Sequence, residues 1–246
     1  MIIGINGRIN SGKDTIGKII QYLSYCDTFG RMSYSSWEML DKTYNKSEWQ
    51  IKKFADKLKD IVCLLINCTR EQLEDREFKD SYLPECWNRV VKATPTGNIQ
   101  KDKIEIETIY QKMTVRQLLQ EIGTEAMRNV IHLNIWVNSL MGEYDKNKPM
   151  KFPNWCITDM RFPNEMKAVK DRGGITIRVN RLNIKTITDG DITIKYIPIP
   201  NVDYKEHESE TTLDNSTFDY EINNFGTIEE LIEQVKEILI KEKLIN

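Results

Sequence analysis

Met1-Ile2-Ile3-Gly4-Ile5-Asn6-Gly7-Arg8-Ile9-Asn10-Ser11-Gly12-Lys13-Asp14-Thr15 opens the chain. Its first six residues are mostly apolar and β-branched, the pattern of a strand buried on both faces. Beyond the stretch, Ile16, Ile19, Ile20 and Leu23 recur at helical spacing. Strand, glycine loop, helix is the context that a phosphate-binding loop requires. Gly7 and Gly12 allow a backbone path and a close approach that a Cβ would obstruct. Such a loop, with Asn10 and Ser11 inside it, aims successive N–H groups at one anion. The following helix adds its own unpaired N–H groups and the positive end of its dipole. Lys13 supplies a compact positive charge for β- and γ-phosphates.

The usual pattern of such loops ends Gly-Lys-Ser/Thr, whereas here the hydroxyl comes one residue later, in Lys13-Asp14-Thr15. This Lys-x-Thr spacing resembles that of many small-molecule P-loop kinases. It places Thr15 near phosphate or Mg²⁺. Asp14 has two readings, an acid acting on Mg²⁺ or a carboxylate stabilising the start of the helix.

The chain then alternates strands and helices. Glu48 to Ala55 reads as a second strand, with Asp56 placed to cap a helix carrying Leu58, Ile61, Val62, Leu65 and Ile66. Residues 70 to about 112 are polar, contain Pro84, Pro95 and Gly97, and suggest only a short hairpin around Ile104–Ile109. A long stretch of this kind is usually functional, and the expectation is a substrate-binding or lid insertion at about 70–145 within one domain. Thr114-x-x-Gln117 is a capping box opening a helix. Gly123 is expected to end or bend it, with another helix over roughly Asn129 to Met141. Trp155–Asp159 reads as a buried strand ending in an acid, Pro163–Arg172 as a helix stopped by Gly173-Gly174, and Ile175–Val179 as a strand. Asp189–Pro198 suggests a hairpin or edge strand, Phe218–Ile222 a last short strand, and Thr227–Leu244 an amphipathic helix capped by Thr227. This order implies an α/β fold, a parallel sheet with helices on both faces.

Composition narrows the function classes. At roughly 150 residues per domain, 246 residues make one large domain or one domain with an insertion. Lys plus Arg number 35 against 37 for Asp plus Glu, a balance that argues against a dedicated nucleic-acid binder. The five cysteines are odd in number and form no Cys-x-x-Cys, which argues against a disulfide framework or structural zinc. Reduced thiols suit a cytoplasm, which for a viral protein means the host's. With only His132 and His207, a histidine-rich metal site is not expected. No apolar run approaches the roughly 20 residues of a membrane span, and the opening residues lack the basic flank and length of a signal peptide.

In parallel sheets, ligands bind beyond the carboxyl ends of strands. Besides the glycine loop, two such ends carry polar residues: Phe54-Ala55-Asp56-Lys57-Leu58-Lys59 and Asp159-Met160-Arg161-Phe162-Pro163-Asn164-Glu165. Asp159 reads as an acid holding Mg²⁺, or else as a helix cap or half of an ion pair. Arg161 suits bidentate phosphate binding, or a surface bridge to Glu165. Glu165 could instead accept hydrogen bonds from a base or sugar.

These ends, in this order, resemble the bacteriophage deoxynucleoside-monophosphate kinase family. The similarity is carried by Gly7–Thr15, Phe54–Asp60, Glu74–Lys79, Val115–Arg128, Trp136, Ile157–Glu165, Gly173–Arg181 and His207–Leu213, with the final strand and helix. It covers nearly the whole chain, except about 85 to 112; Lys57 stands where the family often has proline. The resemblance implies a P-loop kinase that moves the γ-phosphate of ATP to a deoxynucleoside 5′-monophosphate. Lys13 and Thr15 would hold ATP and Mg²⁺, with Asp159 as a second metal contact. Arg76 would reach the acceptor nucleotide; Lys59 matches a lysine of the family's second-strand block and reads as a phosphate contact. Arg116 would contact a phosphate from a helical lid, or else is a solvated helix-face arginine. Gly123, Thr124 and Trp136 match positions lining the monophosphate pocket, as do Asp159, Arg161 and Glu165; Trp136 has a core reading as well. His207 and Glu210 lie in a matching block with no role assigned.

The partner expected is a small nucleotide, not a nucleic acid or a membrane. Oligomeric state is open, a homodimer being one option. The rival readings are another small-molecule P-loop kinase, a nucleotide-binding protein without transfer activity, and, least favoured, a nucleic-acid enzyme.

Overall fold

Strand β1 (Ile2–Gly7) is the middle of the sheet because it is apolar on both faces. The computed structural model describes residues 1–44, 47–100, 103–145, 153–181 and 211–246. β1 pairs in parallel with β5 (Asn154–Ile157) on one side and β6 (Ile175–Asn180) on the other. β2 (Trp49–Lys52) joins beyond β5 and β7 (Tyr220–Asn223) beyond β6, both parallel. The order is β2-β5-β1-β6-β7.

Alternate residues of β1 face opposite layers, as the pleat requires. Ile3 and Ile5 bury against Ile16, Ile19 and Ile20 of α1 (Lys13–Phe29) and against Leu231, Val235 and Leu239 of α9 (Ile228–Lys241). On the other face, a Cβ at Gly4 would lie 2.9 Å from the Met160 sulfur and 3.2 Å from Val169 of α8 (Pro163–Lys170). Glycine at position 4 therefore lets that layer sit directly on the strand. α9 begins where expected, with Thr227 and Glu230 forming a capping box. α8 ends at Lys170, and Gly173 turns the chain with a φ of 68°.

Contacts divide the chain into two compact units, Met1–Phe54 with Val137–Asn246, and Ala55–Trp136. The second has its own core of Val62, Leu73, Leu83, Met113, Val115 and Leu118. It contains α3 (Asp56–Ile66), α4 (Arg70–Glu74), α5 (Arg76–Asp80), a two-stranded ribbon of β3 (Arg89–Gln100) and β4 (Lys103–Gln111), and α6 (Val115–Gln120). α6 runs on into a π-helical segment, Glu121–Ile131. α7 (Ile135–Asp145) follows and leads back to the first unit.

Several elements differ from the sequence reading. The second strand is only Trp49–Lys52, because the chain turns at Phe54. Asp56 does not cap α3: Ala55 holds that position, and the Asp56 carboxylate takes the Arg70 guanidinium at 2.7 Å. The stretch from 70 to 112 is largely regular, and its hairpin is longer than expected. Gly123 does not end the helix; the winding widens from α to π at Glu121. α2 (Tyr34–Tyr44) was not foreseen, and Tyr34 and Trp37 on it pack around Tyr22 of α1 at ring separations of 5.3 and 5.8 Å. The hairpin expected at Asp189–Pro198, and His207 and Glu210, lie outside the described residues. No helix among the described residues is long and apolar enough to cross a membrane.

Leu239 is fully buried between α9 and the sheet. Leu239→Ala is expected to cost about 2–5 kcal/mol, read as a lower urea midpoint at unchanged slope.

Candidate functional site

The glycine loop lies at the carboxyl end of β1, and four other strand ends surround its position in the sheet. Its backbone takes two left-handed turns, at Asn10 (φ 62°) and Gly12 (φ 97°). Asparagine tolerates that conformation, and glycine adopts it without cost. Within the loop, Ser11 N–H donates to Arg8 O at 3.1 Å. The Lys13 ammonium lies across the loop and donates to Gly7 O and Arg8 O, both at 2.7 Å. Neighbouring strand ends hold the outside: Arg181 donates to Asn10 O at 3.0 Å and Asn224 to Ser11 O at 2.8 Å. Arg8 is bound by Asp214 at 2.7 Å, and the same carboxylate takes Arg178 of β6 at 2.9 Å.

The loop has the features of an anion cradle. A Cβ on Gly7 would lie 2.4 Å from Ser11 Oγ, so the first glycine leaves room for that hydroxyl. Ser11 is 1% exposed, and its Oγ has no hydrogen-bond partner among the described residues. A buried hydroxyl left unbonded costs free energy, and a phosphate oxygen is a fitting acceptor for it. Thr15 sits half-buried in the first turn of α1.

Asp14 departs from the loop pattern and has its own anchorage. Its carboxylate accepts the Thr158 hydroxyl at 2.6 Å and the Lys53 ammonium at 3.2 Å. It therefore ties the start of α1 to the ends of β5 and β2. Burial disfavours its charge, but the Thr158 hydrogen bond and the charges of Lys53 and Lys13 outweigh burial and hold its carboxyl below the usual range.

The turn after β5 is fixed from three directions. Asn6 donates to Met160 O at 2.8 Å, and Phe54 N–H donates to the Asp159 carboxylate at 2.7 Å. Glu165 is 1% exposed, and one of its oxygens accepts the N–H groups of Arg161 at 2.7 Å and Phe162 at 3.1 Å. A carboxylate at this position of a helix start acts as the returning half of a capping box. Glu165 thus secures the backbone from which Arg161 projects. The first unit thereby brings Gly7–Thr15 together with Asp159, Arg161 and Glu165 at adjacent strand ends.

The second unit gathers cations on α3, α5 and α6. Lys59 pairs with Glu74, and Arg116 donates to Asp80 at 2.6 Å. Arg76 reaches Asp80 only at 3.9 Å and is 80% exposed. Burial, followed by the charges of Lys59 and Arg116, pulls the Lys79 ammonium below its ordinary range. Lys59, Arg70, Arg76, Lys79 and Arg116 share this neighbourhood with Glu74 and Asp80, and a phosphate dianion would relieve their mutual repulsion. Trp136 is buried, and its indole N–H donates to Gly123 O at 2.8 Å. A Cβ on Gly123 would meet Leu58 at 2.8 Å. Thr124 and Arg128 are buried in the same π-helical segment, a winding frequent at functional sites.

Sequence reasoning assigned no role to Lys53, Lys79, Arg128, Thr158, Arg178, Arg181, Asp214 or Asn224. Lys79 and Arg128 carried a usable signal: Lys79 lies three residues from Arg76 on one helix face, and Arg128 closes a stretch already singled out. The others act through contacts between distant strand ends, which spacing does not encode.

A sequence model of the family described as Deoxynucleotide monophosphate kinase matches residues 54–235. The chain is 23% identical to the deoxynucleoside-5′-monophosphate kinase of Escherichia phage T5, over 94% of this chain and 92% of that protein. It is 27% identical to the deoxynucleotide monophosphate kinase of Escherichia phage RB69, over 54% of this chain and 48% of that one.

The lowered Asp14 value has a consequence for stability. Its contribution is present above the unfolded value of 3.8 and is lost as pH falls through the lower folded value. Melting curves of the parent and of Asp14→Asn should therefore differ at neutral pH and converge in acid below that range.

Proposed function

Because the chain belongs to the deoxynucleotide monophosphate kinase family, we propose that it transfers the γ-phosphate of ATP to deoxynucleoside 5′-monophosphates, releasing the diphosphate and ADP. The observation that carries the donor half is the glycine loop, with its buried unbonded Ser11 hydroxyl and its lysine laid across the loop carbonyls. The family match begins at residue 54, beyond that loop; the kinase family implies a nucleotide donor, and the loop's geometry supports the same reading.

Gly7, Asn10, Ser11 and Gly12 supply the main-chain cradle, and Lys13 the charge for the β- and γ-phosphates. Thr15 and Asp159 are the oxygen donors suited to Mg²⁺, which when bound would neutralise the phosphates and help align them. Asp14, tied to Thr158 and Lys53, keeps α1 in place behind the loop. Arg161, on a turn immobilised by Asn6 and Glu165, stabilises charge on the transferring group in this reading.

On the acceptor side, Lys59 and Arg76 bind the monophosphate, while Gly123, Thr124 and Trp136 shape its pocket; Arg116 serves the ATP phosphates. The acceptor phosphate is already an anion, so transfer needs no strong general base. The side chains need only hold one of its oxygens in line with the γ-phosphate and offset negative charge. The substrate is a free nucleotide, in keeping with the near balance of acidic and basic residues.

An ATP-coupled assay across the common deoxy- and ribonucleoside monophosphates tests the reading. Diphosphate should form with deoxynucleotides, and failure to make ADP with any monophosphate would overturn it. Lys13→Ala should lose about 2–4 kcal/mol of transition-state stabilisation, measured as a drop in kcat/KM in a variant that remains folded.

A further inference from the structure

Asn224 follows β7 directly, and its position is set by the sheet. Its N–H donates to Asn180 O at 2.8 Å, at the end of β6, where Asn180 and Asn223 are register partners. From there its carboxamide reaches the glycine loop, and Nδ2 donates to Ser11 O at 2.8 Å. A Cβ on Gly12 would lie 2.5 Å from that same nitrogen. The side chain is therefore packed against Gly12 as well as bonded to its neighbour.

Ser11 C=O and Gly12 N–H belong to one peptide unit. That unit is planar and trans, so its C=O and N–H point in opposite directions. Whatever holds the carbonyl also aims the amide. We infer that Asn224 is a positioning residue that fixes the Ser11–Gly12 peptide with its N–H turned toward the donor phosphates. The inference deepens the kinase reading and rests on ATP occupying the loop.

The alternative orientation is accessible. Gly12, with a φ of 97° and no side chain, resists rotation of this peptide less than any other residue would. In the flipped state the carbonyl oxygen would face the phosphates and repel them. Lys13 does not prevent this, because its ammonium is bonded to Gly7 O and Arg8 O at the other end of the loop. Arg181 holds the Asn10 carbonyl, one peptide away. Among the described residues, Asn224 is the side chain that bonds the Ser11 carbonyl.

The test uses the full chain with Asn224→Ala, which removes the donor, and Asn224→Asp, which keeps the shape and packing but turns the donor into an acceptor. Loss of the bond in Asn224→Ala should raise KM for ATP and the calorimetric Kd for Mg·ATP by about tenfold, the upper range for one hydrogen bond. KM for the deoxynucleoside monophosphate should stay within about twofold, since a ground-state contact to one substrate affects that substrate alone. Asn224→Asp should weaken ATP at least as much, because two acceptors then face each other. In ¹H–¹⁵N spectra, the Gly12 amide should shift on addition of Mg·ATP in the parent, and shift less in both variants. A merely structural role would lower the melting temperature and disturb both substrates together, which would overturn the inference. ATP binding by both folded variants at parental strength would also overturn it, while leaving the kinase reading intact. If the parent itself does not bind Mg·ATP, the kinase reading fails.

Discussion

A short loop can grip a polyphosphate only if its peptide groups are held facing inward before the anion arrives. Here that constraint is met from outside the loop. Five parallel strands end around it, and the residues just beyond four of them reach back to it or to its helix: Arg181 and Asn224 to its carbonyls, and Thr158 and Lys53 to Asp14. Asp214 adds a clamp on Arg8. The parallel arrangement matters because it brings all these ends to one edge of the sheet. An antiparallel sheet of the same sequence length would send half of them to the other side.

The buried layers serve this end. Ile3 and Ile5 sit under α1, while Gly4 allows Met160 and Val169 to approach from the opposite face. Met160 lies between Asp159 and Arg161, and its carbonyl is held by Asn6 of the central strand. The turn that carries two candidate site residues is thus anchored by an apolar side chain and a buried amide. Packing and chemistry share the same three residues, so a change in one alters the other.

The central strand, the loop and α1 were legible because they combine three local signals: a β-branched run, glycines at fixed offsets and a helical repeat. Thr114-x-x-Gln117 and Thr227-x-x-Glu230 were legible for the same reason, since a capping box is written within four residues. What escaped was set by tertiary contact. α2 packs its Tyr34 and Trp37 on Tyr22 of α1, a contact that local spacing does not encode. Asp56 looked like a cap because the amide-rich helix start is nearby, but Arg70, fourteen residues on, competes for its carboxylate. Glu165 and Asp159 suggest either ligand contacts or structural ones by sequence, and in the structure they accept main-chain N–H groups of Arg161, Phe162 and Phe54. A carboxylate at a strand end looks alike in sequence whether it meets a substrate or a main-chain amide.

The π-helical segment Glu121–Ile131 has a consequence for how this unit can vary. A helix closed by bonds five residues apart accommodates more residues per turn than one closed at four. Removing a single residue would let the winding relax toward the tighter form, while the boxes and turns that start α6 and α7 kept their places. Such a deletion would swing Thr124 and Arg128 around the axis by roughly a quarter of a turn. Thr124 and Arg128 are buried and Trp136 donates to Gly123 O, so that rotation would disturb the core: the register of this segment is held by what it packs against.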